Sequence, residues 1–432
     1  MGGDIQFLLR PLEVEVAEPD RDTFSSTPRK PLHALPASVA VADSACDCYA
    51  TNGSDAAYFT HHTFYDFRSL AAFQGTPELV ADARDTANAA ATSAYFVSSS
   101  FTSFWQPQNW NSSSSSSSSA AGAEDVLRIN SLNNIYIAPN TDADNASATW
   151  LTLRTARQQS FQSAAELVSQ RSTFHFLSMR MLARTVGSPG GCMGMFTYRD
   201  GSGESDSSGS TSGSTGGSTG GSDIQEADLE VLTKYPRGHV QCTNQPSLDG
   251  SGQLIAAATQ NATLPDGLGW DDWVVYRLDW TPRRSTWYAN GQQLASIAFQ
   301  TPRAPTSIHI NAWSDGGKWT GRMVPGTEAH LQIQWWEVLY NATDASHDAG
   351  AAASSSSSSS RKWEESCSAV CSIDADGPPG QAILLSINGT DVGGGGSSKS
   401  GGAEGPRPGG LLWHVAGFVL LMHIMVMIFL LG

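Results

Sequence analysis

Between Cys46 and Asn341 apolar and polar positions alternate over short stretches, each closed off by turn residues. Residues 58–67, 134–138, 149–155, 172–184, 273–280, 284–289, 308–313 and 329–339 either alternate or are rich in β-branched and aromatic side chains. That is the pattern of strands that bury one face or both. Asn290-Gly291, flanked by Tyr288 and Gln292, predicts a tight hairpin, because both residues take positive φ readily. Only residues 78–91 read as helix. Many strands and few helices predict an all-β fold, an antiparallel β-sandwich.

One stretch places charge on the polar positions of the alternation. Residues 223–232 read Asp-Ile-Gln-Glu-Ala-Asp-Leu-Glu-Val-Leu. On a strand, positions two apart share a face and lie roughly 6.8 Å from each other. Glu226, Asp228 and Glu230 then project from one face, while Ala227, Leu229 and Val231 enter the core. A close pair of carboxyls suits a retaining glycosidase, in which ~5–5.5 Å separates the nucleophile from the acid/base. Mutual repulsion raises at least one pKa and keeps a proton available. A solvated strand face shows the same pattern, and a calcium loop needs its acids on a turn instead.

Composition narrows the setting. The 41 acidic and 25 basic residues leave a net charge of −16, which argues against nucleic acid and allows a neutral polysaccharide. Asn-x-Ser/Thr sequons at Asn52, Asn111, Asn145, Asn261, Asn341 and Asn388 point to the secretory route. Six cysteines, an even number, fit disulfides. The expected pairing joins Cys192 to Cys242 and the Cys46/Cys48 pair to Cys367/Cys371. A zinc site on the last four is the alternative, disfavoured by irregular spacing and the lack of a clustered His. No metal or cofactor is expected. Residues 1–30 carry no apolar stretch long enough for a signal peptide, so the expectation is a misassigned gene start.

Four segments are expected. Residues 1–45 form an N-terminal stretch without an assigned role, and 46–345 the sandwich, interrupted by a Gly/Ser loop at 201–222. Residues 346–410 form a Ser/Gly-rich linker that includes Cys367 and Cys371, and 411–431 an apolar tail. Small residues, a polar spacer and an apolar tail are the signal for a glycosylphosphatidylinositol anchor, with a retained transmembrane helix as the alternative. Both place the protein at the cell surface. The Ser runs at 112–119 and 354–360 and the 201–222 loop are expected to be mobile.

The run from Cys192 to Trp319 resembles glycoside hydrolase family 16, which includes laminarinases, lichenases and fungal cell-wall transglycosylases. Glu226-Ala227-Asp228-Leu229-Glu230 matches that family's uninterrupted ExDxE signature. Gly194-Met195-Phe196-Thr197-Tyr198 is similar to the strand before it, and 240–246 to the strand after it in fungal members. Tyr276 to Pro282, Thr286 to Gly291, and Ile310 to Gly321 follow in the family's order. Asn290 stands where the family usually has Asp, and forms the same turn. The resemblance implies a concanavalin A-like jelly roll. It also implies Glu226 as nucleophile, Glu230 as general acid/base and Asp228 as the group that hydrogen-bonds the nucleophile. Trp313 and Trp319 resemble cleft aromatics, and Asn244 a polar sugar contact; packing within the sandwich is the competing role for Trp313, and an ordinary loop position for Trp319. The implied activity is retaining hydrolysis of β-1,3/1,4-glucan. A transglycosylase using the same residues, or a non-catalytic glycan-binding wall protein, is the alternative. Arg199, His239 and Trp270 are further cleft candidates that spacing leaves open.

Overall fold

A computed structural model describes residues 39–53, 55–112, 126–143, 147–200, 224–343 and 367–392. In chain order the strands that build the sandwich are β1 (His61–Asp66), β2 (Trp105–Pro107), β3 (Ile135–Pro139), β4 (Thr149–Arg157), β5 (Phe161–Ser169), β6 (Phe174–Gly187), β7 (Cys192–Arg199) and β8 (Gln225–Leu232). They continue with β9 (His239–Gln245), β10 (Thr259–Thr263), β11 (Val274–Trp280), β12 (Ser285–Ala289), β13 (Gln292–Ile297), β14 (Ser307–Trp313) and β15 (Glu328–Ala342). One sheet runs β2-β5-β14-β7-β8-β9-β10, with every pairing antiparallel. The other runs β13-β12-β11-β6-β15, after which β4 and β1 share the far edge of the long β15 and β3 pairs with β4. This is the antiparallel sandwich expected from the alternation.

The inner faces meet in one core that includes Trp105, Trp280, Trp287 and Trp336, all essentially inaccessible. Ala227, Leu229 and Val231 of β8 are in it, so the apolar positions between the acids do face inward. Burying such side chains contributes about 1.5–3 kcal/mol each for the larger ones, which fixes the register: a slip by one residue would drive three carboxylates into the core. The β12–β13 hairpin turns on Asn290 and Gly291 at φ 47° and 78°, and the Asn290 side chain accepts a hydrogen bond from Val275 N at 2.9 Å.

Three expectations are corrected. The helix at 78–91 shrinks to Ala83–Ala87, because the Asp82 carboxyl accepts from Arg84 N and Asp85 N and so starts the helix there. Cys192 and Cys242 are both free and buried. Cys242 lies in the core, whereas the register puts Cys192 on the opposite face of the same sheet. A disulfide cannot cross a sheet in this way. The other four cysteines pair as Cys46–Cys371 and Cys48–Cys367, joining the two ends of the domain as expected and consuming the thiols a zinc site would need. Finally, residues 367–392 are folded: Ala369–Ser372 and Ala382–Ile387 form a small sheet with Val39–Val41, Cys48–Ala50 and Tyr58–Phe59. The expected tail at 411–431, the 201–222 loop, the Ser runs beyond Ser112 and residues 1–38 lie outside the described residues. Among the described residues no helix is long and apolar enough to cross a membrane.

Candidate functional site

The antiparallel register converts the alternation of β8 into rows across the sheet. Glu226 is opposite Tyr198 of β7 and Gln245 of β9; Asp228 is opposite Phe196 and Thr243; Glu230 is opposite Gly194 and Gln241. Continuing through β14, Ser307 joins the first row, His309 the second and Asn311 the third. Glu166 of β5 lies beyond Asn311. The face that β8 turns away from the core is therefore lined with carboxyls, carboxamides, hydroxyls and rings. Beside Glu226 it opens into a cleft of about 830 Å³ whose lining includes Trp110, Glu166, Phe196, Tyr198, Arg199 and His309.

Glu226 and Glu230 are four positions apart on the strand, so their Cα atoms are about 13–14 Å apart at ~3.4 Å per residue. The two-residue spacing therefore applies only to each acid and Asp228, and the outer carboxyls communicate across it. They do interact. Burial, then the charge of Glu230, pushes Glu226 up to about 8. Burial, then the charges of Glu230 and Glu226, holds Asp228 well above the usual carboxylate range despite hydrogen bonding from Thr243. Asp228 is 2% exposed, and its Oδ1 has no hydrogen-bond partner. Burial also raises Glu230, while the Cys192 thiol and the Trp319 indole pull it partly back. Cys192 Sγ donates to Glu230 Oε1 at 3.1 Å. Burial thus disfavours charge on all three acids, but two donors offset it at Glu230 and no hydrogen bond offsets it at Glu226.

The remaining expected site residues separate cleanly. Trp313 sits on the cleft side of β14, with the Arg128 guanidinium 5.1 Å from its ring centroid. Trp319 is 38% exposed, on a loop built by Asp315, whose carboxyl accepts from Gly317 N, Trp319 N and Thr320 N. Asn244 is corrected: it is fully buried on the core side of β9, and its Nδ2 donates to the carbonyls of Ile297 and Phe299 at 3.3 and 2.9 Å. It contacts protein, not the cleft. Trp270 likewise belongs to the core, donating to Pro236 O at 3.2 Å. Arg199 lines the cleft and donates to Pro305 O at 3.2 Å. His239 shares the Gln241 face of β9, and burial lowers its pKa.

No protein-family profile and no curated protein matches the chain. Among solved structures it is similar to the β-glucanase of Bacillus licheniformis, at 18% identity over 56% of this chain and 94% of that one, with a TM-score of 0.38. It is also similar to a catalytic domain, LamAcat, from Zobellia galactanivorans (17%, 55% and 90%, TM-score 0.39) and to a laminarinase catalytic domain from Thermotoga maritima (16%, 56% and 99%, TM-score 0.37). Scores this low leave the fold to rest on its own strands and the chemistry on its own residues.

Several cleft residues escaped the sequence reading. His309 stacks on Phe196 with centroids 4.9 Å apart, meets Tyr198 edge-on at 5.5 Å, and bonds Glu166 Oε1 through Nδ1 at 2.9 Å and Ser307 Oγ through Nε2 at 2.8 Å. A signal was present: His309, Asn311 and Trp313 alternate with buried Ile308, Ile310 and Ala312, the same beat as the acidic strand. Their register against β7 was not readable from either strand alone.

Proposed function

We propose that the chain is a retaining glycosidase that cleaves β-1,3/1,4-glucan of cell walls. The observation that carries the reading is the row of three desolvated carboxyls, all with raised pKa values, on one strand face beside an open cleft. The ordered motifs from Cys192 to Trp319 support glucan as the substrate.

In this reading Glu226 attacks the anomeric carbon as the bond to the departing sugar oxygen breaks, and Glu230 gives that oxygen its proton. Glu230, now a carboxylate, then takes a proton from water, whose oxygen displaces Glu226 from the anomeric carbon. Burial and the charges of Glu230 and Glu226 push the Asp228 carboxyl up, which works against a third charge in the row. The first step needs charge on Glu226 and a proton on Glu230, the reverse of what the donors favour in the free site. Substrate binding supplies the reversal if a sugar hydroxyl donates to Glu226, because a donor to the charged form lowers its pKa. Trp313 and the half-exposed Trp319 offer apolar faces for sugar rings.

The two disulfides that join the ends of the domain, with the sequons, support a secreted and membrane-tethered setting, the tether being the 411–431 segment. Turnover of laminarin, lichenan and chitin oligomers by wild type, Glu226→Gln and Glu230→Gln tests the reading. Loss of glucan cleavage in both variants, with anomeric retention by proton NMR in the wild type, is the expected result. Equal activity in all three proteins overturns it, and no turnover in any of them would leave a glycan-binding wall protein. Products longer than the substrate in the presence of acceptor oligosaccharides would make the enzyme a transglycosylase with the same residues.

A further inference from the structure

We propose that Cys192 is a positioning residue for Glu230: from the neighbouring strand its thiol holds one carboxyl oxygen and so sets how the carboxyl faces the departing sugar oxygen. The inference rests on the glycosidase reading for its catalytic meaning, but its geometry stands apart from it.

Three features converge. Directly opposite Glu230 the sheet carries Gly194, and a Cβ there would come within 2.8 Å of Asn311 Oδ1. The slot facing Glu230 is therefore empty of side chain on β7 and closed beyond by a carboxamide whose Oδ1 has no partner. The nearest β7 side chain on that face is Cys192, diagonal to Glu230, and diagonal neighbours on a sheet lie within side-chain reach. Its Sγ meets Glu230 Oε1 at 3.1 Å. Lastly, Cys192 is fully buried and has no disulfide partner. Burial, then the charge of Glu230 and their hydrogen bond, pushes the thiol's pKa up. It stays protonated and acts as a donor, not as a nucleophile or a redox group.

Other titratable groups face this pair. Glu226 and Asp228 lie on β8 itself, His239 on β9, and Asp315 in the loop that carries Trp319, where its charge acts on Cys192. Arg128 lies over Trp313, the β14 residue paired with Cys192. The hydrogen-bond donors acting on Glu230 are Cys192 and Trp319, so deleting the thiol removes one of two groups that favour its charged form.

The experiment compares wild type, Cys192→Ser and Cys192→Ala in the full chain. Glu230 must be protonated to act as the acid, so activity falls as pH rises through its pKa. In Cys192→Ala the alkaline limb of kcat/KM should move up by about 0.5–1 pH unit, and Cys192→Ser, which keeps a donor, should restore a limb at or below the wild-type position. The side-chain carboxyl carbon shift of Glu230, followed by NMR titration in the same three proteins, should move in parallel. A uniform loss of activity or stability in Cys192→Ala, with the limb and the titration unmoved, overturns the inference and leaves Cys192 as packing. Full activity in Glu230→Gln overturns the glycosidase reading instead, and the NMR titration still decides whether the thiol governs the carboxyl.

Discussion

Two charged regions lie on opposite sides of the sandwich, and they handle charge in opposite ways. Against the sheet that contains β6 and β11, beneath the small disulfide-tied sheet, Asp374 pairs with Arg180 and, at 3.3 Å, with Arg277. Arg277 also holds Asp279 through two 2.7 Å hydrogen bonds and donates to Asn52 O and Oδ1. Nearby, His62 bridges Asp43 and Glu337 at 2.8 and 2.9 Å. Burial works against these charges, yet the partners win: Asp374 is held below its ordinary value, and His62 and Arg277 above theirs. On the cleft side, Glu226, Asp228 and Glu230 share one face with no cation paired to any of them among the described residues, and all three are raised. Compensated charge holds the small sheet in place; uncompensated charge costs stability and persists where it serves a reaction.

The sharpest way to break this comparison is to neutralise one member of each region. Glu230→Gln should lower turnover of the preferred glucan by about 10²–10⁴-fold while leaving the thermal midpoint at pH 5 within a few degrees. Asp374→Ala should do the reverse. It strands the Arg180 guanidinium in a buried setting and takes one of three partner residues from Arg277, and removing one member of a buried pair costs about 3–5 kcal/mol. Urea unfolding should show that loss while kcat of the remaining folded enzyme stays at the wild-type value. If Asp374→Ala instead abolished turnover in folded protein, the two regions would not be separate in function.

A smaller effect separates them by pH. Glu226 is raised to about 8 from an ordinary value of 4.5. The folded state then binds a proton that the unfolded chain releases, so this group's contribution is fully present below about 4.5 and is lost as pH rises through about 8. Glu226→Gln cannot titrate, so its stability should fall less than the wild type's between pH 5 and pH 9, by roughly 4 kcal/mol. Asp374 has the opposite sign: being depressed, it loses its contribution as pH falls toward acid. Parallel unfolding curves for wild type and Glu226→Gln across that range would refute the cluster's electrostatics.

Most of the sandwich could be read from the chain because alternation is a local property. Strand bounds such as Val274–Trp280 and Ser307–Trp313 fall within a residue of the expected ones, and the acidic face of β8 follows from its own period of two. What depended on register was hidden. Nothing within Cys192–Arg199 reveals that Gly194 faces Glu230, or that Cys192 and Cys242 lie on opposite faces of one sheet. The appended sheet was hidden for a related reason: its strands Cys48–Ala50 and Ala369–Ser372 are short and pair across more than three hundred residues, so only the cysteines announced it.

Asn244 is where resemblance and register disagree most plainly, and its effect is the smallest. The residue follows the cleft strand in sequence, which made it a candidate for sugar, but on β9 it is the odd partner between Thr243 and Gln245 and turns inward. Its Nδ2 ties β9 to the carbonyls of Ile297 and Phe299, at the end of β13 and just beyond. Asn244→Ala leaves both carbonyls short of a donor, and should cost about 1–2 kcal/mol with KM for glucan unchanged. Asn244→Asp should cost more, because it adds a buried acceptor against two acceptors. A raised KM in Asn244→Ala at unchanged stability would return the residue to the cleft, and with it the premise that side-chain facing on β8 and β9 follows the strand period.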